Sequence, residues 1–202
     1  MTIPLSDEPI TWLFVGDSIT HGCVHTDSAR SYVEHFNEAV RREGNRKTDV
    51  LLNTAVSGWT VGDLLKDFEH YAGRFRPDVC IVMFGTNDAQ DGVEGVARYR
   101  AGLEEVVARL ERDNARVVLQ VPPPIHAVES GRDEIERYRE VVRDVAAERE
   151  LLLVDHPSDW EELDADGGYE HLLADHIHPG AEGHLRMAGL VLRTLGLSHL
   201  AN

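Results

Sequence analysis

The 202-residue chain contains few cysteines, almost no lysine and no long apolar run. Its two cysteines, Cys23 and Cys80, do not make a disulfide framework and do not belong to a Cys-x-x-Cys pair, so a reducing cytoplasmic compartment is expected. The apolar run nearest the start, residues 10–15, is short and follows acidic residues. We therefore expect neither a signal peptide nor a membrane-spanning helix, and no membrane partner.

Positive charge is also scarce, with 20 Lys and Arg against 36 Asp and Glu and a formal net charge of −16. An acidic protein repels phosphate backbones, which excludes a general nucleic-acid binder. The length suits one domain, and we find no internal repeat or linker that would divide residues 1–202. The oligomeric state is left open by the sequence.

Short apolar runs alternate with longer amphipathic stretches along the whole chain. The runs are rich in Val, Leu and Ile without strict alternation, which is typical of strands buried on both faces of a parallel sheet. They cover residues 11–16, 49–56, 78–85, 116–122 and 151–155. Helices are expected over 28–43, 61–74, 93–112, 132–150 and 181–195. This alternation predicts an α/β fold, a three-layer α/β/α sandwich around a parallel sheet of about five strands.

Polar and glycine residues cluster just after the apolar runs and just before the last helix. In open α/β sheets ligands bind beyond the carboxyl ends of the strands, so these clusters predict one site built from distant segments. The clusters are 16–18, 57–59, 85–88, 122–124 and 175–180.

Ser18 is a candidate nucleophile because it follows the first strand at a turn. A serine hydroxyl needs a neighbouring base. His178 can supply that base, and Asp175, three residues earlier, can fix the imidazole tautomer. The alternative is that Ser18 is a helix N-cap and that Asp175 caps the turn beside a surface histidine. Pro179 is expected in the first turn of the last helix.

Acyl transfer also requires hydrogen-bond donors for an oxyanion. The backbone N–H groups of Ser18 and Gly58 and the side-chain amide of Asn87 are candidates. The alternatives are a plain glycine turn at Gly58 and an Asx turn at Asn87. The neighbouring Asp17 and Trp59 are candidate substrate contacts, and Trp59 is equally compatible with core packing.

Four blocks together resemble the SGNH hydrolases, also called the GDSL esterase/lipase family. They are Gly16-Asp17-Ser18-Ile19-Thr20, Gly58, Gly85-Thr86-Asn87-Asp88 and Asp175-His176-Ile177-His178-Pro179. The resemblance spans nearly the whole chain. It implies a flavodoxin-like sandwich in which Ser18 is the nucleophile, His178 the base and Asp175 its orienting carboxylate. It also implies an oxyanion hole lined by Ser18, Gly58 and Asn87, and no metal or organic cofactor.

Other sites remain as alternatives. Several histidines allow a metal site, since zinc takes three or four convergent ligands, and Asp175, His176 and His178 could belong to one. These histidines are His21, His25, His126, His171, His176, His178 and His184. Residues 164–168 faintly resemble a calcium loop but lack its full pattern, so an acidic turn is preferred. Cys23 lacks a flanking signature and is expected to be a buried thiol, as is Cys80 within a strand. Residues 132–150 are expected to form a solvated helix face.

The sequence therefore predicts a serine esterase that acts on a small-molecule ester through an acyl-enzyme on Ser18. The absence of a Leu/Phe-rich insertion favours a short acyl group. Residues 155–175 contain eight acids and no Lys or Arg, which disfavours anionic esters and favours a neutral small molecule or carbohydrate. Trp160 and Tyr169, in the same segment, are expected to pack it onto the body, and the alternative is that they form one wall of the site. Alternatives are a thioesterase or lysophospholipase, a catalytically silent binding domain and a metal-dependent hydrolase.

Overall fold

The computed structural model describes residues 8–26, 28–161, 163 and 168–200. Five strands pair in parallel in the order β2-β1-β3-β4-β5. Their bounds are β1 Thr11–Gly16, β2 Val50–Asn53, β3 Val79–Met83, β4 Arg116–Val121 and β5 Leu152–Asp155. This is the flavodoxin-like 2-1-3-4-5 order, whose reversal point lies between β1 and β3. The predicted α/β class and the number of strands are confirmed.

Helices cover both faces of the sheet. The described residues contain eight α-helices: α1 Ser18–His21, α2 Tyr32–Glu38, α3 Val61–Lys66, α4 Phe68–Tyr71, α5 Gly92–Arg112, α6 Ile135–Glu148, α7 His156–Glu161 and α8 Ala181–Thr194. A π-helical turn, Ala39–Glu43, continues α2. Single 3₁₀ turns occur at Gly73–Phe75, Asp88–Asp91, Glu170–Leu172 and Ser198–Leu200.

Each central strand contributes to two hydrophobic cores. In β1, Leu13 and Val15 face the core formed with α3 to α6, whereas Trp12 and Phe14 face the core formed with α2, α7 and α8. Successive side chains of a strand point to opposite faces, so a strand covered on both sides needs a continuous apolar run. At the sheet edge the expectation of full burial is wrong for β2, whose Val50 is 45% exposed.

The predicted helix over 61–74 is divided into shorter pieces. Thr60 and Asp63 form a capping box that starts α3, and the backbone of Asp67 leaves the helical region to end it. The helix expected from residue 28 begins later, at Tyr32, because Ser31 and Glu34 form another capping box. The short helices α1 and α7 were not predicted, since a single turn has no readable hydrophobic period.

Two expectations about the later helices are corrected. Pro179 lies before α8, which Gly180 caps at its N-terminus, and it pairs instead with Leu173 in an isolated antiparallel bridge. The segment 132–150 is not uniformly solvated, because Arg132 and Arg139 are buried. Within the described residues, no helix has the length and apolar character needed to cross a bilayer.

Candidate active site

The turn after β1 places Ser18 at the carboxyl edge of the sheet. Asp17 is the N-cap of α1 and accepts a hydrogen bond from the backbone N–H of Ile19, so Ser18 is the first helical residue and not the cap. Gly16 is required there, since a Cβ atom would lie 2.6 Å from the carbonyl oxygen of Met83. The serine hydroxyl is therefore free to bond with a side chain from another segment.

That side chain is His178, which the structure brings from the opposite end of the sequence. Ser18 Oγ lies 2.8 Å from His178 Nε2. On the other side of the ring, His178 Nδ1 lies 2.9 Å from Asp175 Oδ2 and 3.0 Å from Oδ1. A carboxylate only accepts, so Nδ1 carries the proton, and Nε2 accepts the hydrogen bond donated by Ser18. The serine thus faces the basic nitrogen of an oriented imidazole.

Asp175 also accepts hydrogen bonds from the backbone of its own turn. The N–H groups of Ile177 and His178 donate to Oδ1 at 2.7 and 2.8 Å. Burial raises the pKa of Asp175, but these two N–H groups and the His178 imidazole outweigh it and lower that pKa to about 2. The carboxylate is therefore ionised at neutral pH, and the 41% exposure of its side chain also favours the charged form.

His25, from the segment between α1 and α2, forms an unexpected second layer over the base. Its ring stacks on that of His178, with centroids 3.4 Å apart and planes 2° from parallel. Its Nδ1 lies 3.2 Å from Asp175 Oδ2. His25, Asp175 and His178 thus place possible metal-ligand atoms within 4.8 Å of one another. The in-plane lone pairs of parallel rings do not converge, so this geometry suits hydrogen bonding to the carboxylate better than coordination of one ion.

Burial and neighbouring charges act in opposite directions on His178. Burial lowers its pKa below the ordinary value, Asp175 raises it, and the charges of His25 and Arg132 lower it further. The net direction is downward, so His178 is neutral at neutral pH. A neutral imidazole with a free Nε2 lone pair is the form that can accept a proton.

The candidate oxyanion donors lie at the ends of β2 and β3. Gly58 has φ +83°, in the left-handed region, and the position where a Cβ would stand faces open space. Asn87 donates from Nδ2 to the carbonyl oxygen of Trp59, 3.0 Å away, which ties the two loops together. The Trp59 ring packs edge-on against Tyr71 at 4.5 Å, which supports its alternative role in packing.

Buried charges lie beneath these loops. Asp88 accepts from the backbone N–H groups of Val61 and Gly85 and so joins the start of α3 to the end of β3. Burial raises the pKa of Asp88 to about 6 and that of Asp17 to about 7. Asp17 is only 1% exposed. Its assignment as a substrate contact is therefore corrected: this carboxyl caps α1 from within the protein.

Two other histidines of the metal alternative, His176 and His184, do not join His25, Asp175 and His178. His176 packs edge-on against His126 rather than joining Asp175 and His178. His184 is buried and accepts from the backbone N–H of Tyr32, so it serves the core. Cys80 is buried as predicted, whereas Cys23 is exposed, which corrects that expectation. The calcium-like stretch falls mostly at 164–167, outside the described residues.

Arginines partly neutralise the acidic segment 155–175. Asp155 pairs with Arg143 at 2.8 Å, and Asp159 pairs with Arg186 and Arg193 at 2.6 and 2.7 Å. Three further acids of the segment, Glu162, Asp164 and Asp166, lie outside the described residues. As predicted, Trp160 is fully buried, and Tyr169 packs against it at 6.1 Å. The field of this segment is thus weaker than its sequence charge indicates.

Known proteins resemble this chain in sequence and in fold. A model of the GDSL-like lipase/acylhydrolase family matches residues 14–186. An acetylxylan esterase from Geobacillus stearothermophilus is 27% identical over 207 residues, which cover 91% of this chain and 93% of that protein. An uncharacterised protein of Mycoplasma pneumoniae is 32% identical over 114 residues, 54% of this chain. That match spans only 13% of the Mycoplasma protein.

Solved structures share the fold. A catalytic serine-to-alanine mutant of the same acetylxylan esterase has a TM-score of 0.80 at 24% identity, covering 93% of this chain and 94% of that one. An alpha/beta hydrolase from the metagenome of Lake Arreo also has a TM-score of 0.80 at 24% identity, covering 94% and 96%. Further catalytic mutants of the esterase replace an aspartate and a histidine three positions apart.

The buried carboxyl of Asp17 generates a stability prediction. Folding raises the pKa of this carboxyl from 3.8 to about 7. Its contribution to stability is therefore complete only below about pH 4, and it is lost as the pH rises to about 7. Asn caps a helix as well as Asp does but carries no charge. We expect Asp17→Asn to gain stability over wild type by up to about 1.4 kcal/mol per pH unit across this window.

Urea unfolding of both proteins at pH 4, 5.5, 7 and 8 measures this difference. It should grow from pH 4 to 7 and then remain constant. A difference that does not change with pH would show that Asp17 is not a buried carboxyl with a raised pKa. Asp63→Asn serves as the control. Burial raises the pKa of Asp63, but bonds from Lys66 and Thr60 outweigh it and lower that pKa below 3.8. Its ionisation therefore affects stability below this pH range, and the difference between Asp63→Asn and wild type should hardly change from pH 5.5 to 8.

Proposed function

Because the chain belongs to the GDSL-like lipase/acylhydrolase family, we propose that it is a serine esterase of short-acyl esters, acetyl-like, of a neutral small molecule or carbohydrate. The observation that carries this proposal is the continuous line of hydrogen bonds from Ser18 through His178 to Asp175. Ser18 Oγ is 2.8 Å from Nε2, within the reach required of a nucleophile and its base.

In the proposed reaction, Ser18 Oγ attacks the ester carbonyl carbon as His178 Nε2 takes its proton. The tetrahedral intermediate collapses to an acyl-enzyme, and His178 returns the proton to the departing alcohol. A water molecule, deprotonated by the same nitrogen, then hydrolyses the acyl-enzyme and regenerates Ser18. Asp175 keeps the proton on Nδ1 and stabilises the imidazolium that forms twice in this cycle.

The oxyanion of each tetrahedral intermediate is proposed to bind the N–H groups of Ser18, Gly58 and Asn87. These residues follow β1, β2 and β3, whose carboxyl ends lie side by side in the sheet. The open space beside Gly58 allows a carbonyl oxygen to approach its backbone. One oxyanion donor typically contributes about 3 kcal/mol to catalysis.

The relatives support the same roles. In the acetylxylan esterase, catalytic mutants replace a serine, and an aspartate and a histidine with the same three-residue spacing as Asp175 and His178. Its named substrate class, an acetylated carbohydrate, supports a short acyl group here.

Replacement of Ser18 tests the nucleophile. We expect Ser18→Ala to lower kcat for p-nitrophenyl acetate by at least about 10³-fold, since the acyl-enzyme can no longer form. A fluorophosphonate probe should label wild type and not the variant. Ser158→Ala, which removes an exposed hydroxyl on α7, is the matched control and should retain full activity. Wild-type rates in Ser18→Ala would refute the assignment, and absence of labelling in the wild type would favour a silent binding domain.

The pKa of His178 predicts the acid limb of the pH profile. The base acts only when unprotonated, so activity falls as the pH drops through that pKa, which burial places below 6.5. We expect kcat/KM for p-nitrophenyl acetate to be half-maximal on the acid side at a pH below 6.5. Asp17→Asn should have the same acid limb, which would show that the limb does not arise from the ionisation of Asp17. A midpoint above 6.5 in both proteins would contradict the structure.

A panel of esters tests the substrate class. Across p-nitrophenyl acetate, butyrate, octanoate and decanoate, we expect kcat/KM to be highest for acetate, because the sequence contains no Leu/Phe-rich insertion that would contact a long acyl chain. Acetyl esters of a neutral and an anionic alcohol of similar size, compared at low salt, should show a preference for the neutral one. A maximum at decanoate, or a strong preference for the anionic ester, would favour the lysophospholipase or thioesterase alternative.

A further inference from the structure

Arg132 is a buried cation at the back of the candidate oxyanion hole. It precedes α6 and is 6% exposed. Its guanidinium donates from Nε to the carbonyl oxygen of Thr86 at 2.7 Å, from Nη1 to that of Ser130 at 2.6 Å, and from Nη2 to Asn87 Oδ1 at 3.3 Å. One planar group thus holds both the backbone of Thr86 and the side chain of the next residue.

These contacts leave a single orientation for the Asn87 amide. A guanidinium can only donate, so the atom that faces Arg132 must be the carbonyl oxygen Oδ1. The Trp59 carbonyl can only accept, so the atom that faces it must be Nδ2. A rotation of the amide by 180° would place donor against donor and acceptor against acceptor. One Nδ2 hydrogen is used by Trp59, and the second is left for a ligand oxygen.

The position of the positive charge adds to this geometry. The charge of Arg132 acts on Asp17, next to Ser18, and on His178. It therefore lies close to the point where negative charge would develop on a substrate carbonyl.

We propose that Arg132 is the positioning residue of the oxyanion hole, which locks the Asn87 amide with its free N–H toward the reacting carbonyl. This inference rests on the proposed esterase function. Arg132 itself does not touch the substrate and acts through Asn87. Loss of the guanidinium lets the amide rotate, and rotation turns a donor into a carbonyl oxygen that repels the oxyanion.

Arg139 provides a matched control. It is 4% exposed, lies one turn into α6 and holds the loop after β4 through the carbonyl oxygens of Pro122 and Pro123. It therefore resembles Arg132 in burial, charge and loop anchoring. Its bonds go to that proline loop and to Glu136, not to Asn87. Arg139→Met thus reports what the loss of a buried loop-anchoring arginine does by itself.

The test is a double-mutant cycle on p-nitrophenyl acetate with wild type, Arg132→Met, Asn87→Ala and the double variant. We expect Arg132→Met to lower kcat by about 10- to 100-fold, with KM changed by less than about threefold, because only the transition state uses the oriented donor. In the Asn87→Ala background the same substitution should have less than about a twofold effect, since no amide remains to be oriented.

Two more variants complete the design. Arg132→Lys keeps the charge and a single donor nitrogen and should restore part of the lost kcat. Arg139→Met should keep kcat within about threefold of wild type, whatever its melting temperature. If Arg132→Met does not fold, Arg132→Lys with and without Asn87→Ala gives the same cycle. The proposal is overturned if the effects of Arg132→Met and Asn87→Ala on kcat multiply in the double variant. It is also overturned if Arg139→Met loses as much kcat as Arg132→Met, or if Arg132→Met does not change kcat.

A readout without turnover separates this proposal from the proposed function. In ¹⁵N-labelled protein, the side-chain NH₂ signals of Asn87 should be resolved in wild type, Ser18→Ala and Arg139→Met, and averaged or shifted in Arg132→Met. Unchanged Asn87 signals in Arg132→Met would overturn the positioning role. A wild type without Ser18-dependent ester hydrolysis would refute the esterase proposal, and the NMR comparison would still decide whether Arg132 orients the amide.

Discussion

Strand β1 lies between β2 and β3, and all three run parallel, so their carboxyl ends open at the same edge of the sheet. This pairing places the loops that carry Ser18, Gly58 and Asn87 at one edge of the sheet, although the first and last of these residues are 69 positions apart in the sequence. Each of these residues lies in the loop that follows its strand. Only His178 and Asp175 come from outside this set, and the turn before α8 carries both. The site is therefore a consequence of strand order, and each loop has only to present one polar group.

The same edge of the sheet contains buried charged side chains, which a hydrophobic core would exclude. Asp17 caps α1, Asp88 joins the start of α3 to the end of β3, and Arg132 holds the loop after β3. Burial raises the pKa of both carboxyls, so each ionisation opposes folding at neutral pH. These buried charges lie where three loops meet, and the loops have no hydrogen bonds between strands to fix them. Charged side chains with several acceptors or donors fix the loops instead.

Much of the fold and of the candidate site could be predicted from the sequence. Continuous apolar runs predicted β1, β3 and β4, since strands buried on both faces need them. The spacing of Asp175 and His178 predicted their contact, because a three-residue turn can fold back on itself. Arg132 was missed: it begins a stretch of mixed charge that resembles a solvated helix, and its burial depends on acceptors 46 and 45 residues earlier in the chain. His25 was missed as a partner of His178 because no local pattern predicts contact with a residue 153 positions away.

Long-range contacts of this kind are nevertheless constrained by simple chemistry. Groups with a fixed role determine how an ambiguous neighbour is oriented. The Arg132 guanidinium, which only donates, and the Trp59 carbonyl, which only accepts, fix the Asn87 amide between them. Asp175, which only accepts, fixes the proton on His178 Nδ1 and leaves Nε2 to accept the hydrogen bond from Ser18. The first arrangement leaves one N–H of Asn87 for the oxygen of an ester carbonyl, and the second gives the attacking hydroxyl its base.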